Sequence, residues 1–236
     1  MDMIFGRERT IERASDTVLV VLSSALGISA CFGDLVMTRL LETRYPGYRP
    51  LLQPMSDLGN SGSPVAGPAS TWWVIMGLLF VAFGYGFNRA FSHQGKPLRI
   101  CAWMIAVYGL GEGLGSGLVA GSPGNDFRTP NSIFHNILGG FGVLAVVLLP
   151  FFIMKVYTAR RSPVLYWYSW LTSVAGILFI VLFLVSQIYQ PEGSWMARHG
   201  LWQRMFVLTY YLFLICLAVL MLQRRKYASA AAEAHR

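Results

Sequence analysis

Six stretches of this chain, at about 17–40, 69–91, 98–120, 131–154, 164–187 and 201–223, are nearly free of charge and long enough to cross a bilayer. A helix needs about 20 apolar residues, each rising about 1.5 Å, to cross a hydrocarbon core of about 30 Å. With 55% hydrophobic and 13% charged residues, the chain lacks the polar surface to cover a water-soluble globule of its size. The expected fold is all-α: a polytopic integral membrane protein, a six-helix transmembrane bundle over 17–223. A segment 1–16 precedes it and a tail 224–236 follows it.

An even number of spans puts both ends on one side, and the basic residues choose that side. Arg7, Arg9 and Arg13 precede the first span; Arg89, Lys96 and Arg99 bracket the connection between the second and third. Lys155, Arg160 and Arg161 follow the fourth, and Arg224, Arg225 and Lys226 follow the sixth. All fall on one face of the six-span arrangement, so the positive-inside rule makes both termini cytoplasmic. Trp72, Trp73, Trp195 and Trp202 then fall near outer span ends, and Trp103, Trp167 and Trp170 near inner ends, as two interfacial belts. No small-residue cleavage pattern follows the charged head, so the first span is expected to stay in the protein.

The net charge of +8 is accounted for by these topology signals, and no clustered basic face with stacking aromatics points to nucleic acid. Cys31, Cys101 and Cys216 are odd in number, lie in apolar runs and lack CxxC spacing, which excludes a disulfide framework.

Two segments carry most of the polar character. The loop at 42–68 reads YPGYRPLLQPMSDLGNSGSPVAGP over 45–68; its turn formers and its Leu51, Leu52, Met55 and Leu58 predict an ordered outer cap. The stretch 109–117, GLGEGLGSG, places a glycine at every second position around Glu112, which invites neighbouring backbones to approach closely. It is followed by Asp126 in a turn and by His135, near the start of the fourth span. There Thr129 can cap the helix and Pro130 can occupy its first turn.

Apart from those in the terminal segments, the acids Asp34, Glu42, Asp57, Glu112, Asp126 and Glu192 all map to the outer half or outer loops. Asp34 and Glu112 lie within spans, where an ionisable group costs about 2.5–3.5 kcal/mol on insertion. They are expected either in structural ion pairs with Arg39 or Arg204, or at an ion, substrate or catalytic site. Asp57 and Asp126 can cap turns or act as ligands. His135 can pack, coordinate or transfer protons, and His199 sits at the interface. Arg204, one turn into the last span, suits a carboxylate or an anionic ligand group.

No GxSxG, HExxH, Walker or dinucleotide motif occurs. His135 with Asp57 and Asp126 makes a candidate divalent-metal set, zinc being the example, and His135 with a carboxylate makes a candidate acid–base pair. Haem is a poor fit, because only His135 and His199 could supply axial ligands.

The motifs SDLGNSGSP in the loop, GSPGNDF before the fourth span with His135 after it, and GLWQR opening the sixth resemble a family of bacterial six-to-seven-helix membrane proteins. That family is the domain of unknown function nine-nine-eight. The resemblance covers about residues 17–223 and directs attention to Asp57, Asp126, His135 and Arg204; it implies the bacterial inner (plasma) membrane and no particular activity. More distantly the chain is similar to seven-helix metal hydrolases of the alkaline ceramidase type, whose paired histidines its last helix lacks.

The expected function is an outward-facing polar pocket that binds or acts on a lipid or amphiphile headgroup, with membrane lipids as partners. In that reading hydrolysis would be metal-assisted or acid–base, with His135, Asp57, Asp126 and Glu112 catalytic and Arg204, Asp34 and His199 holding substrate. The alternatives are a proton- or cation-coupled small-molecule transporter using Asp34 and Glu112, and a non-enzymatic membrane scaffold or assembly factor.

Overall fold

The structure is a computed structural model describing residues 2–91, 94–121, 129–188 and 194–233, with side chains over 17–91, 94–121, 129–188 and 194–223. Among the described residues there is no strand. We label the helices α1 (Asp2–Thr43), α2 (Ala66–Phe91), α3 (Lys96–Tyr108), α4 (Pro130–Val156), α5 (Pro163–Ile188) and α6 (His199–Glu233). Five segments are long and apolar enough to cross a membrane: Thr17–Thr43 and Ala66–Phe91, then Pro130–Val156, Pro163–Ile188 and His199–Gln223. This makes the chain a multi-helix membrane protein.

The third expected span, 98–120, differs from the expectation of one continuous α-helix. α3 ends at Tyr108 and passes into a π-helical segment, Gly109–Gly115, before one last α turn at Ser116–Leu118. A run of alternate glycines explains the change. Glycine is a weak α-helix former, and π turns survive where neighbouring elements hold them.

Here the neighbours are α2 and α4, and the glycines divide between them. A methyl group placed on Gly109 would lie 2.6 Å from Gly77 O, and one on Gly117 would lie 2.8 Å from Ser70 O; Gly113 likewise abuts the Gly77 backbone, all on α2. Gly111 and Gly115 face α4 instead, against Leu138 and Gly142. Positions four apart share a helix face, so alternate glycines give this segment two close-packing faces. The remaining direction is left to Glu112.

Each helix packs on the next, and α6 returns to α1, closing a ring of six. The half of the ring away from the 43–65 loop is filled by fully buried Phe80, Phe83, Phe87 and Phe91 of α2, Leu149 and Ile153 of α4, and Phe213 and Leu217 of α6. With apolar lipid outside, dispersion contacts of this kind and close backbone approach hold such a half together.

The loop end is organised by polar contacts. Thr129 caps α4 by accepting from Ser132 N at 3.3 Å, with Pro130 in the first turn. The connection between α1 and α2 folds over the ring through a 3-10 turn, Met55–Gly59, whose Leu58 is fully buried. Met55 N donates to Gln203 Oε1 at 2.6 Å and Ser61 N to Gly121 O at 3.1 Å, tying that connection to α6 and to the end of the third helical segment.

The tryptophan belts need one correction. Trp103, Trp167, Trp170 and Trp195 are exposed, at 46–67%. Trp73 is only 7% exposed and packs over Gly59, while Trp72 lies on Gly33 and donates to Asp34. These two join helices instead of marking the interface.

Candidate functional site

The half of the ring under the loop encloses a cavity of about 560 Å³. Its polar lining includes Asp34 of α1, Tyr108 and Glu112 of the third segment, His135 and Asn136 of α4, and Tyr211 of α6. Its apolar lining includes Met76, Val143, Leu144, Val147, Ile180 and Leu184. Leu144 of α4 and Leu184 of α5 are each 53% exposed on the outside of the ring, and Gly140, one turn before Leu144, is exposed as well. The cavity therefore opens sideways, at the seam of α4 and α5.

Asp34 is almost fully buried, at 2% exposure, and its two oxygens are both used. Oδ1 accepts from Trp72 Nε1 at 2.9 Å and Oδ2 from Tyr211 OH at 2.8 Å, while the same hydroxyl lies 3.4 Å from Met76 Sδ. A carboxylate satisfied by two neutral donors needs no ion pair, and neither Arg39 nor Arg204 serves it. The sequence expectation of an arginine partner for Asp34 is corrected accordingly.

Glu112 is enclosed by the ring, and what surface it has faces the cavity. Two glycines of α4 make its space: a methyl on Gly139 would lie 3.1 Å from Glu112 Oε1, and one on Gly142 would lie 3.0 Å from Glu112 Cγ. Among the described residues no hydrogen bond or ion pair reaches its carboxylate. It is the acid of the cavity that the protein leaves open.

His135 is 8% exposed and its Nδ1 lies 2.8 Å from Val119 O. A carbonyl only accepts, so Nδ1 carries the proton and the other ring nitrogen of neutral His135 is an acceptor. Gly139, beside the Glu112 carboxylate, is one helical turn along from His135 on the same face. Asn136, which follows His135, has a buried amide nitrogen with no hydrogen-bond partner.

The other expected site residues lie elsewhere. Asp57 Oδ1 accepts from Asn60 Nδ2 at 2.9 Å within the loop, and Asp57 is not part of the cavity lining. Burial pushes its carboxyl above the ordinary range, and the Asn60 bond opposes that rise. His199 also stands outside the lining, its Nδ1 buried without a hydrogen-bond partner. Asp126 falls outside the described residues.

Arg204 is committed to structure. Its Nε and Nη2 donate to Glu42 Oε1 at 3.1 and 2.7 Å, Nη2 to Tyr48 OH at 2.8 Å, and Nη1 to Gln53 O and Gly200 O at 3.1 and 2.8 Å. Five N–H groups meet five contacts, so none remains for an anionic ligand. That corrects its expected role. Burial raises the Tyr48 phenol to about 12, with Arg204 pulling the other way.

A three-ligand metal site does not form among the described residues, since no three His, Cys, Asp or Glu side chains converge. Of the set drawn from the sequence, His135 and Asp57 bond to separate partners, Val119 O and Asn60, and Asp126 lies outside the described residues.

The family described as a protein of unknown function, DUF998, matches residues 28–220. The chain belongs to this family. The match takes in every residue that lines the cavity, from Asp34 to Tyr211, so the cavity lies in the family's own region of the chain. No curated protein and no solved structure shows significant similarity to the chain.

Tyr108, Tyr211, Trp72 and Asn136 were missed by reasoning from sequence. Tyrosine and tryptophan in an apolar run read as packing or interfacial residues, and only the helix rotations turn their polar atoms inward. Asn136 had a signal, being an amide next to a histidine in an apolar span.

Proposed function

We propose that this is a six-span protein of the plasma membrane, with the loop end outward, whose cavity takes the headgroup and first methylenes of a lipid or other amphiphile from the outer leaflet. The third segment supports a sixth crossing, because helical backbone runs from Lys96 to Leu118 with only a change of winding. Outward orientation follows from the basic residues at the far end of the ring.

The observation that carries the reading is the pairing of an open carboxylate with a sideways, apolar mouth. Glu112 has no partner among the described residues, and Gly140, Leu144 and Leu184 lead from it to the lipid-facing surface. A volume of about 560 Å³ is within the range of small-molecule pockets. An amphiphile satisfies both ends of such a space, its chain against the leucines and its head against Glu112, His135 and Asn136. Should the bound head be cleaved, Glu112 and the acceptor nitrogen of His135 are the groups available as bases.

A transporter needs a route to both faces, and the packed phenylalanines of α2 close the far half of the ring. That weighs against the carrier alternative. The enclosed, chemically varied cavity weighs against a pure scaffold.

Gly140 supplies the test. An added Cβ there meets open space, with no atom within 4 Å, so Gly140→Trp adds bulk at the mouth from a position where the side chain starts without a clash. Native mass spectrometry of wild type and variant released from the same membranes is expected to show a co-purifying amphiphile on wild type and little on the variant. An identical complement of bound molecules on both would refute the reading.

A further inference from the structure

The polar end of the cavity carries two acids and no cation among the described residues. Glu112 offers both carboxylate oxygens, and His135 offers a second acceptor because its Nδ1 proton goes to Val119 O. Asp34 adds a second carboxylate to the wall, already holding Trp72 and Tyr211. The donors on the wall are all neutral: the unbonded amide nitrogen of Asn136, the amides of Gln187 and Gln203, and the hydroxyls of Ser56, Tyr108 and Ser116. No lysine or arginine lines the cavity among the described residues, and Arg39 and Arg204 both pair with Glu42 outside it.

An enclosed carboxylate without a counter-charge is costly, and what enters beside it is favoured when it brings positive charge and N–H donors together. Resting on the reading of the cavity as an amphiphile pocket, we infer that its preferred headgroup is a protonated primary or secondary amine. One ammonium N–H meets Glu112 and another is within a helical turn of the His135 acceptor. The Asn136 amide can meet a hydroxyl or carbonyl oxygen next to the amine.

Other headgroups fit less well. A quaternary ammonium has no N–H and leaves both acceptors unmet. A phosphate or sulfate sets like charge against Glu112 and Asp34, which rejects it. A neutral alcohol can reach one acceptor without compensating the charge.

The test uses the full-length protein in phosphatidylcholine nanodiscs, titrated with n-dodecylamine, n-dodecyltrimethylammonium, n-dodecanol and dodecyl sulfate. Gly140→Trp serves as the reference for uptake by the lipid alone. Dodecylamine is expected to bind about tenfold more tightly than the other three, the worth of a charge-assisted hydrogen bond, and Glu112→Gln is expected to remove that advantage while dodecanol binding persists. The ranking on wild type stands even if the variant folds poorly. Equal binding of amine and alcohol, both lost in Gly140→Trp, overturns the amine inference and leaves the amphiphile pocket intact. Preference for the sulfate or the quaternary probe overturns it too. Binding of no probe beyond the Gly140→Trp reference overturns both readings.

Discussion

Arg204 reaches from the last helix to Glu42 at the end of the first, donating from Nη2 at 2.7 Å and from Nε at 3.1 Å to the same carboxylate oxygen. Glu42 is 5% exposed at its side chain and Arg204 21%, so the pair is largely withdrawn from water. Removing one member of such a pair strands the other. Arg204→Met and Glu42→Gln are each expected to lower unfolding free energy by about 3 kcal/mol, read from the tryptophan-fluorescence melt in detergent. The double variant Glu42→Ala with Arg204→Ala should lose less than the sum of the two single alanine variants; strict additivity would show that the pair does not act as a unit.

The two classes of glycine should part company. Gly113→Ala puts a methyl into the backbone of Gly77 and is expected to cost about 3 kcal/mol or more, at the upper end of overpacking effects, or to abolish folded yield. Gly140→Ala enters open space and should gain about 0.5–1 kcal/mol from helix propensity. Size-exclusion profiles and melting temperatures of the two variants decide the matter.

Asp34→Asn keeps the shape of the side chain but turns an NH₂ toward a donor. With the amide oxygen kept for Trp72, Tyr211 OH must accept from the new NH₂ and turn its proton to Met76 Sδ at 3.4 Å, exchanging a charge-assisted bond for weaker ones at a cost of about 1 kcal/mol. Tyr211→Phe should cost more, because it leaves the buried Asp34 Oδ2 without a donor and only the Trp72 bond at 2.9 Å remains. Equal stability of Asp34→Asn and wild type would mean that the acid is not held as described.

The pH dependence of Asp57 has a definite sign. Burial raises its carboxyl in the folded state, so the folded chain holds the proton more tightly than the unfolded one. The resulting stabilisation is full below the unfolded carboxylate range and is lost as pH climbs through the folded value. Asp57→Asn keeps an acceptor for Asn60 and escapes that loss. Its melting temperature should exceed that of wild type near pH 7, with the gap closing toward about pH 4; a gap that widens on acidification would contradict the assignment.

Much of the architecture was legible in the chain. Charge-free runs of span length marked the helices, Thr129-Pro130 marked the start of α4, and alternate glycines marked a place of close approach. Asp34, Glu112 and His135 could be singled out because ionisable groups in apolar runs are costly. Their partners could not be read, since partner choice depends on how each helix is rotated about its axis. Glu42 shows this: at the frayed edge of an expected span it read as a loop residue, yet one more helical turn makes it the counter-ion of Arg204. The π segment was hidden for a related reason. The same glycines serve an α-helix or a π-helix, and contacts with α2 and α4 decide between them. Asp57 stood out by its motif, whose density reflects a tightly folded loop and not a place in the cavity wall.

The ring closes between its first and last members, through Glu42 with Arg204 and through Asp34 with Tyr211, residues 162 and 177 positions apart. During synthesis α1 enters the bilayer long before α6 exists. Until then Glu42 has only Arg39 beside it and Asp34 lacks its tyrosine, and a chain cut short before Arg204 keeps both deficits. The two bonds thus distinguish a finished chain from an unfinished one: both exist only once the last helix has joined the first.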